Sequence, residues 1–192
     1  MIYKITEFDG PITDEITEFL LNATQRGFTN NSTIEQLYSF KDERRHVLFF
    51  IWHKDKIIGS FGAHSIDIIP NSYRIITRMC ILTDKSHYTG LRTLNGLIKQ
   101  HQSLVTRIAM PWCINWVNDP DSNLFISSHE SSVGTQRIVH NLYCPTLSDI
   151  GVVEKYGDYQ YRGHVQTFWR MNVDVLLEQL KETDKGDITI IN

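Results

Sequence analysis

The stretch Ile81-Leu82-Thr83-Asp84-Lys85-Ser86-His87-Tyr88-Thr89-Gly90-Leu91 is where the chain changes period. Before it, Ile75 to Leu82 is rich in branched residues and reads as a strand. After it, Leu91, Leu94, Leu97, Ile98 and His101 share one helical face. The residues between make a polar turn. A helix begins with unpaired backbone N–H groups at the positive end of its dipole, which together suit a phosphate. Gly90 lets backbone approach a ligand closely, and Lys85 and His87 add donors. Taken alone, the junction is equally what any strand-to-helix connection needs.

Toward the N-terminus, Lys54-Asp55-Lys56 forms a turn between two strands, Val47 to Trp52 and Ile57 to His64. The first is a continuous apolar run, as in a strand buried on both faces. Ile2 to Phe8 alternates and reads as a further strand. Asp9-Gly10-Pro11 opens a helix with Pro11 near its first turn, Asp14 and Glu15 at its positive end and Gly27 at its close. Ile12, Ile16, Phe19, Leu20 and Ala23 form its buried face. Ser32-Thr33-Ile34-Glu35 is a capping box for a short second helix through Tyr38.

Toward the C-terminus, Met110 to Trp116 reads as irregular and Leu124 to Ser128 as a short strand. Val133 to Tyr143 is predicted helical and stopped by Pro145. Gly151 to Tyr156 and Val165 to Met171 are the last strands, with Gly157 to Gly163 a loop between them. Val173, Leu176, Leu177 and Leu180 mark a final helix, and residues 184–192 read as a loose tail. No linker or repeat divides the 192 residues, so one domain is expected.

Composition narrows the class. The chain is 41% hydrophobic and carries a formal charge of -3, which argues against bulk binding to nucleic acid. No segment has the length of a membrane span, and the first residues lack a signal-peptide core. Cys80, Cys113 and Cys144 form no CxxC pair and read as reduced thiols, so a cytoplasmic protein is expected. The histidines form no HxH, HxxxH or HExxH pair, and no metal is inferred. Glu43-Arg44-Arg45 reads as a solvated charge run.

The element order is strand, two helices, three strands, helix, strand, helix, two strands. It resembles the GNAT superfamily, which transfers an acyl group from acyl-coenzyme A to an amine. His87-Tyr88-Thr89-Gly90 lies where that family's Arg-x-x-Gly turn cradles the coenzyme A pyrophosphate. Lys54-Asp55-Lys56-Ile57-Ile58-Gly59 resembles its second hairpin, and Val133 to Tyr143 its penultimate helix, which often ends in tyrosine. The departures are His87 in place of arginine, Arg92 in place of a second small residue, and Cys144-Pro145 after Tyr143.

The resemblance implies an α/β (α+β) fold with a central, mostly antiparallel sheet and helices on both faces. It implies acetyl-CoA or another acyl-CoA as cosubstrate, contacted by Ile81, Leu82, Lys85, His87, Tyr88, Thr89, Gly90 and Leu91. A gap between strands four and five would admit the thioester, with strand-four backbone at Ile81 and Leu82 as donor. Tyr143 matches the acid that protonates the leaving thiolate. Strand four offers no carboxylate, its polar members being Arg74, Thr77 and Arg78, so His129 and Glu130 past strand five are the candidate bases. Trp112, Tyr159 and Tyr161 are candidates to line the pocket of a small-molecule or peptide amine. A scaffold that keeps the fold without turnover, and a homoserine-lactone-synthase-like transfer in which Arg74 and Arg78 steer an anionic partner, stay open. So does the oligomeric state, a homodimer included.

Overall fold

A computed structural model describes residues 2–25, 45–81, 104–129, 144–161, 163–183 and 189–191. Strands β1 (Ile2–Glu7), β2 (His46–His53), β3 (Lys56–Ile66), β4 (Ser72–Ile81), β5 (Asn123–His129), β6 (Val153–Tyr161), β7 (His164–Met171) and β8 (Thr189–Ile191) form one sheet. Its order is β6-β7-β5-β4-β3-β2-β1-β8. The pairs β1/β8 and β4/β5 are parallel and the others antiparallel. The helices are α1 (Asp14–Gln25), α2 (Met110–Val117), α3 (Cys144–Asp149) and α4 (Val173–Thr183).

The apolar run of β2 has a simple cause. Leu48 and Phe50 bury against Ile16, Phe19, Leu20 and Ala23 of α1, whereas Val47, Phe49 and Ile51 bury on the other face with α2. Both faces are covered, so alternation disappears. Each fully buried Phe, Leu or Ile contributes about 1.5–3 kcal/mol. Lys54 and Asp55 both take positive φ (49° and 61°), the two-residue turn whose twist suits a hairpin.

β4 departs from regular pairing. Opposite β3, Gly62 pairs with Thr77 but Ala63 with Ile75, which leaves Ile76 as an extra residue at φ 57°. Such a φ is strained for a β-branched side chain. A second shift lies between Ser60 and Gly62, where Phe61 alone faces Arg78 and Met79. Gly62 sits beneath this irregularity, and a Cβ there would lie 2.3 Å from the Val47 carbonyl oxygen. The Cys113 thiol of α2 donates to the Gly62 carbonyl at 3.5 Å and is held in turn by the Ile76 backbone. The sulfur thus occupies the break in the ladder. Burial pushes this thiol from the ordinary 9.0 up to about 12, and the Ile76 backbone bond pulls weakly the other way. Burial alone pushes Cys144 up to about 12.

Several expectations change. Met110 to Trp116 is helical, not irregular. Val105–Ala109 forms a π-turn, with Met110 N–H bonded to the Val105 carbonyl, and α2 follows. Pro111 has no N–H and would crowd the preceding turn of a regular helix; the wider π-turn relieves that crowding. Pro145 is the second residue of α3, and the helix it was expected to stop lies outside the described residues. Pro11 precedes α1, whose first turn is capped by the Thr13 hydroxyl accepting from Ile16 N–H at 3.4 Å. Gly157 to Tyr161 belongs to β6, and Thr189–Ile191 of the expected tail pairs with Ile2 to Lys4. Arg45 is no idle surface charge. It donates to the Trp116 carbonyl at the end of α2 (2.7 Å) and to the Tyr73 hydroxyl (3.2 Å), its guanidinium over both rings. The second helix (residues 32–38), the helices predicted over 91–101 and 133–143, and Gly27 lie outside the described residues.

Two outcomes follow from this packing. Gly62→Ala is expected to destabilise the fold by about 1–3 kcal/mol, because backbone rather than a yielding side chain meets the new Cβ. A urea midpoint unchanged from the parent would contradict this. The thiols act at alkaline pH. Between pH 9.0 and about 12 an unfolded thiol ionises while the folded Cys113 and Cys144 stay protonated. The unfolded state then binds fewer protons, so stability falls as pH rises through that window, on the order of 1 kcal/mol per unit and thiol. Cys113→Ala should flatten the alkaline limb in urea titrations at stepped pH.

Candidate functional site

β4 and β5 pair only over Ser72–Arg74 with Asn123–Phe125. Beyond these residues β4 runs on to Ile81 and β5 to His129 with no pairing between them. β5 instead stays with β7, from Phe125 opposite Arg170 to His129 opposite Gln166. A wedge therefore opens toward the C-terminal ends of both strands. The bulges of β4 account for it: each extra residue bends the strand and raises its twist. The edge of β4 that faces the wedge carries backbone N–H and C=O groups with no described strand opposite them.

The two faces of the sheet differ here. On the face carrying α2, the wedge strands present Ile75, Ile81, Leu124 and Ile126, all buried and apolar. The buried polar side chains among the described residues are Ser60, His64, Ser72, Thr77, Ser127 and Gln166. Register places all of them on the other face. Ser60 opposes Cys80 and Phe50, Thr77 opposes Gly62, His64 opposes Arg74, Ser72 opposes Ile66, and Ser127 opposes Phe168. Cys80 and Phe50 pack with α1, and Ile66 and Phe168 form a small cluster with Phe125 and Tyr161.

These groups bond across the wedge. Arg74 Nη2 donates to the Ser127 carbonyl at 3.2 Å, spanning from β4 to β5. Ser127 Oγ donates to Gln166 Oε1 at 2.9 Å, and Gln166 Nε2 donates to the Tyr161 carbonyl at 3.2 Å. The His64 ring stacks on Tyr161, with centroids 6.5 Å apart. Its Nδ1 lies 2.8 Å from the Ser65 carbonyl, which only accepts, so Nδ1 carries the proton. Hydrogen bonds of this kind offset the desolvation cost of burying polar groups.

Of the sequence candidates, Ile81 ends β4, buried on the apolar face and paired with Gly59. His129 ends β5 at the mouth of the wedge, opposite Gln166. Tyr161 is buried in the polar face, and Tyr159 stands beside it, edge-on to Phe168 and stacked on Tyr156. Desolvation, then the charge and hydrogen bond of Tyr156, push the Tyr159 phenol upward. Trp112 is not brought to this surface: it packs edge-on against Phe49 on the opposite face. Leu82, Lys85, His87, Tyr88, Thr89, Gly90, Leu91, Glu130 and Tyr143 lie outside the described residues. His64, Ser127 and Gln166 escaped sequence reasoning. Their one signal is a polar residue at strand spacing within an otherwise apolar run, as with Ser60 and His64 in β3.

A separate cavity of about 830 Å³ lies at the other end of β5, between α2 and α4, lined in part by Ile114, Asp119, Glu154, Arg170 and Leu177. Among the described residues no cluster of His, Cys, Asp and Glu is arranged to hold a metal, and no helix is long and apolar enough to cross a membrane.

No protein-family profile and no curated protein sequence matches the chain. Solved structures do. The aminoglycoside 6'-N-acetyltransferase from Enterococcus faecium aligns at TM-score 0.52 and 11% identity, over 88% of this chain and 95% of that one. A protein assigned to the GNAT family from Desulfovibrio desulfuricans aligns at 0.51 and 9% identity, over 89% and 99%. The ribosomal-protein-S18-alanine N-acetyltransferase from Escherichia coli aligns at 0.51 and 11%, over 88% and 92%. The chain therefore has the mixed, mostly antiparallel fold of the GNAT acyltransferases.

The network generates one outcome. Gln166→Leu leaves Ser127 Oγ and the Tyr161 carbonyl without their described partner in a dry setting. A loss of about 1–3 kcal/mol is expected. A thermal midpoint equal to the parent's would mean that water enters this face freely.

Proposed function

We propose, with the GNAT fold as premise, that the protein is an N-acyltransferase. It moves an acetyl or other acyl group from acyl-CoA to a primary amine of a small molecule or peptide. The single observation that carries the reading is the wedge between β4 and β5, with bulged β4 backbone on one wall. A thioester arm is narrow and amide-bearing, so it matches an unpaired strand edge. The reading takes the chain as one domain, acting in the cytoplasm and without a metal.

The chemistry assigns roles as follows. The neutral amine attacks the thioester carbonyl carbon, and a C–N bond forms. A backbone N–H near Ile81 and Leu82 stabilises the oxyanion that develops. His129 or Glu130, directly or through water, takes the proton lost by the amine. The C–S bond then breaks, and Tyr143 returns a proton to the coenzyme A thiolate. The products are an amide and free coenzyme A. The residues from Lys85 to Leu91 hold the pyrophosphate by backbone N–H groups, with His87 in the place of an arginine.

Calorimetry with coenzyme A, together with thiol release from acetyl-CoA over an amine panel, tests the reading. Saturable binding, weakened at least about tenfold by Gly90→Val, is expected, since a bulky side chain would stand where backbone meets phosphate. Absence of binding at millimolar coenzyme A would overturn it. Binding without thiol release would favour a scaffold that has lost turnover, a reading in keeping with a β4 that carries no carboxylate.

A further inference from the structure

We infer that the cavity between α2 and α4 is a second ligand site, for a small organic cation: an ammonium or guanidinium carried on an apolar body. The inference does not rest on the acyl-transfer reading, because the cavity and the wedge lie at opposite ends of β5. Asn123 lines the cavity and His129 stands at the mouth of the wedge, about 20 Å apart at the rise of a strand.

At about 830 Å³ the cavity has the size of an ordinary small-molecule site. Its walls are of two kinds. Ile114 of α2, Leu124 of β5 and Leu177 of α4 supply hydrocarbon. Leu176 is buried in the core, whereas Leu177 is 42% exposed. A lone exposed leucine on a convex surface is ordinary. This one stands on the wall of a concavity, where a bound molecule would cover it.

The charged lining consists of Asp119, Glu154, Asp174 and Arg170. Arg170 is matched to Glu154, its Nε donating to Oε1 at 2.8 Å. Among the described residues no basic side chain pairs with Asp119 or Asp174. Asp119 Oδ1 accepts from the Asp121 N–H at 3.0 Å, a neutral donor. Asp119 follows the end of α2 and Asp174 stands in the first turn of α4, so each bounding helix brings one unmatched carboxylate. The N-terminal end of α4 would by itself invite an anion. Asn172 Oδ1 already accepts the Val175 N–H there, at 3.2 Å, and Asp174 opposes any further negative charge.

These walls select the ligand. An anion would meet two unmatched carboxylates, and a neutral hydrocarbon would desolvate them without a partner. A bare inorganic cation would leave the leucine and isoleucine wall in water, and no cluster among the described residues is arranged to hold a metal. An organic cation answers both walls, its charge at the carboxylates and its body on the hydrocarbon.

The test uses the full chain at neutral pH with three probes of one body and different charge: phenethylammonium, phenethyl alcohol and hydrocinnamate. Calorimetry reads affinity, and methyl resonances of Ile114 and Leu177 locate the ligand. The expected result is saturable binding of phenethylammonium, at least about tenfold tighter than either other probe. It should weaken as salt is raised. The Ile114 and Leu177 methyls should shift while that of Ile126, in the wedge, stays. Asp119→Asn combined with Asp174→Asn should cost at least about tenfold, since asparagine keeps an oxygen for the Asp121 N–H but no charge. Leu177→Ser should cost about threefold or more through the lost apolar contact. No saturable binding of phenethylammonium, equal affinity for the three probes, or undiminished binding to the double variant would overturn the inference. So would shifts confined to Ile126, which place the amine in the wedge. If Asp174 serves only the dipole of α4, Asp174→Asn lowers the thermal midpoint and leaves affinity where it was, which also counts against the site. None of these readouts needs acyl transfer, so failure of that reading and failure of this site are distinguishable.

Discussion

One residue too many in β4 governs the middle of this sheet. Ile76 has no partner on β3, and it takes a φ of 57° that costs on the order of 1–3 kcal/mol. The surroundings hold it there. Gly62 brings the β3 backbone so close to Val47 that no side chain fits, and the Cys113 sulfur sits in the broken ladder. The bent strand then leaves β5 after Arg74. The wedge is thus not a loose edge. It is a strained arrangement kept in place by close backbone packing on one side and a helix on the other.

The helix has to be unusual for the same reason. α2 must set Cys113 over the bulge while its chain still carries Pro111. The π-turn before it widens the helix where the ring would collide. At its other end, Asn118 takes a left-handed conformation, with its N–H on the Ile114 carbonyl, and Arg45 closes over the Trp116 carbonyl. The helix that covers the apolar side of the wedge is therefore fastened at both ends.

The division between the faces turns the wedge into a site with direction. Burying Ser60, His64, Ser72, Thr77, Ser127 and Gln166 on one face costs free energy unless each is bonded, and the Ser127–Gln166 pair and the Gln166 bond to the Tyr161 carbonyl offset part of that cost. On the other face the wedge strands present the apolar side chains of Ile75, Ile81, Leu124 and Ile126. A ligand that threads between the strands meets packing on one side and hydrogen-bonding groups on the other.

The local periods in the sequence determined a good deal. The continuous run of Val47 to Trp52, the helical face of Ile16, Phe19, Leu20 and Ala23, and the order of elements carried the fold, because period and turn chemistry are local properties. What the tertiary structure alone decided depends on partners far apart in sequence. Met110 to Trp116 hid its helix, since a proline and two tryptophans give no clean period and the relief at Val105–Ala109 shows only in the backbone. Thr189–Ile191 became a strand because β1 had an edge free to take it. Trp112 and Tyr161 looked like equal candidates, yet the sheet lies between them. The wedge itself comes from a one-residue mismatch between β3 and β4. Register is set by pairing across the sheet, so a bulge at Ile76 and a polar face at Arg74, Ser127 and Gln166 exist only once the strands have met.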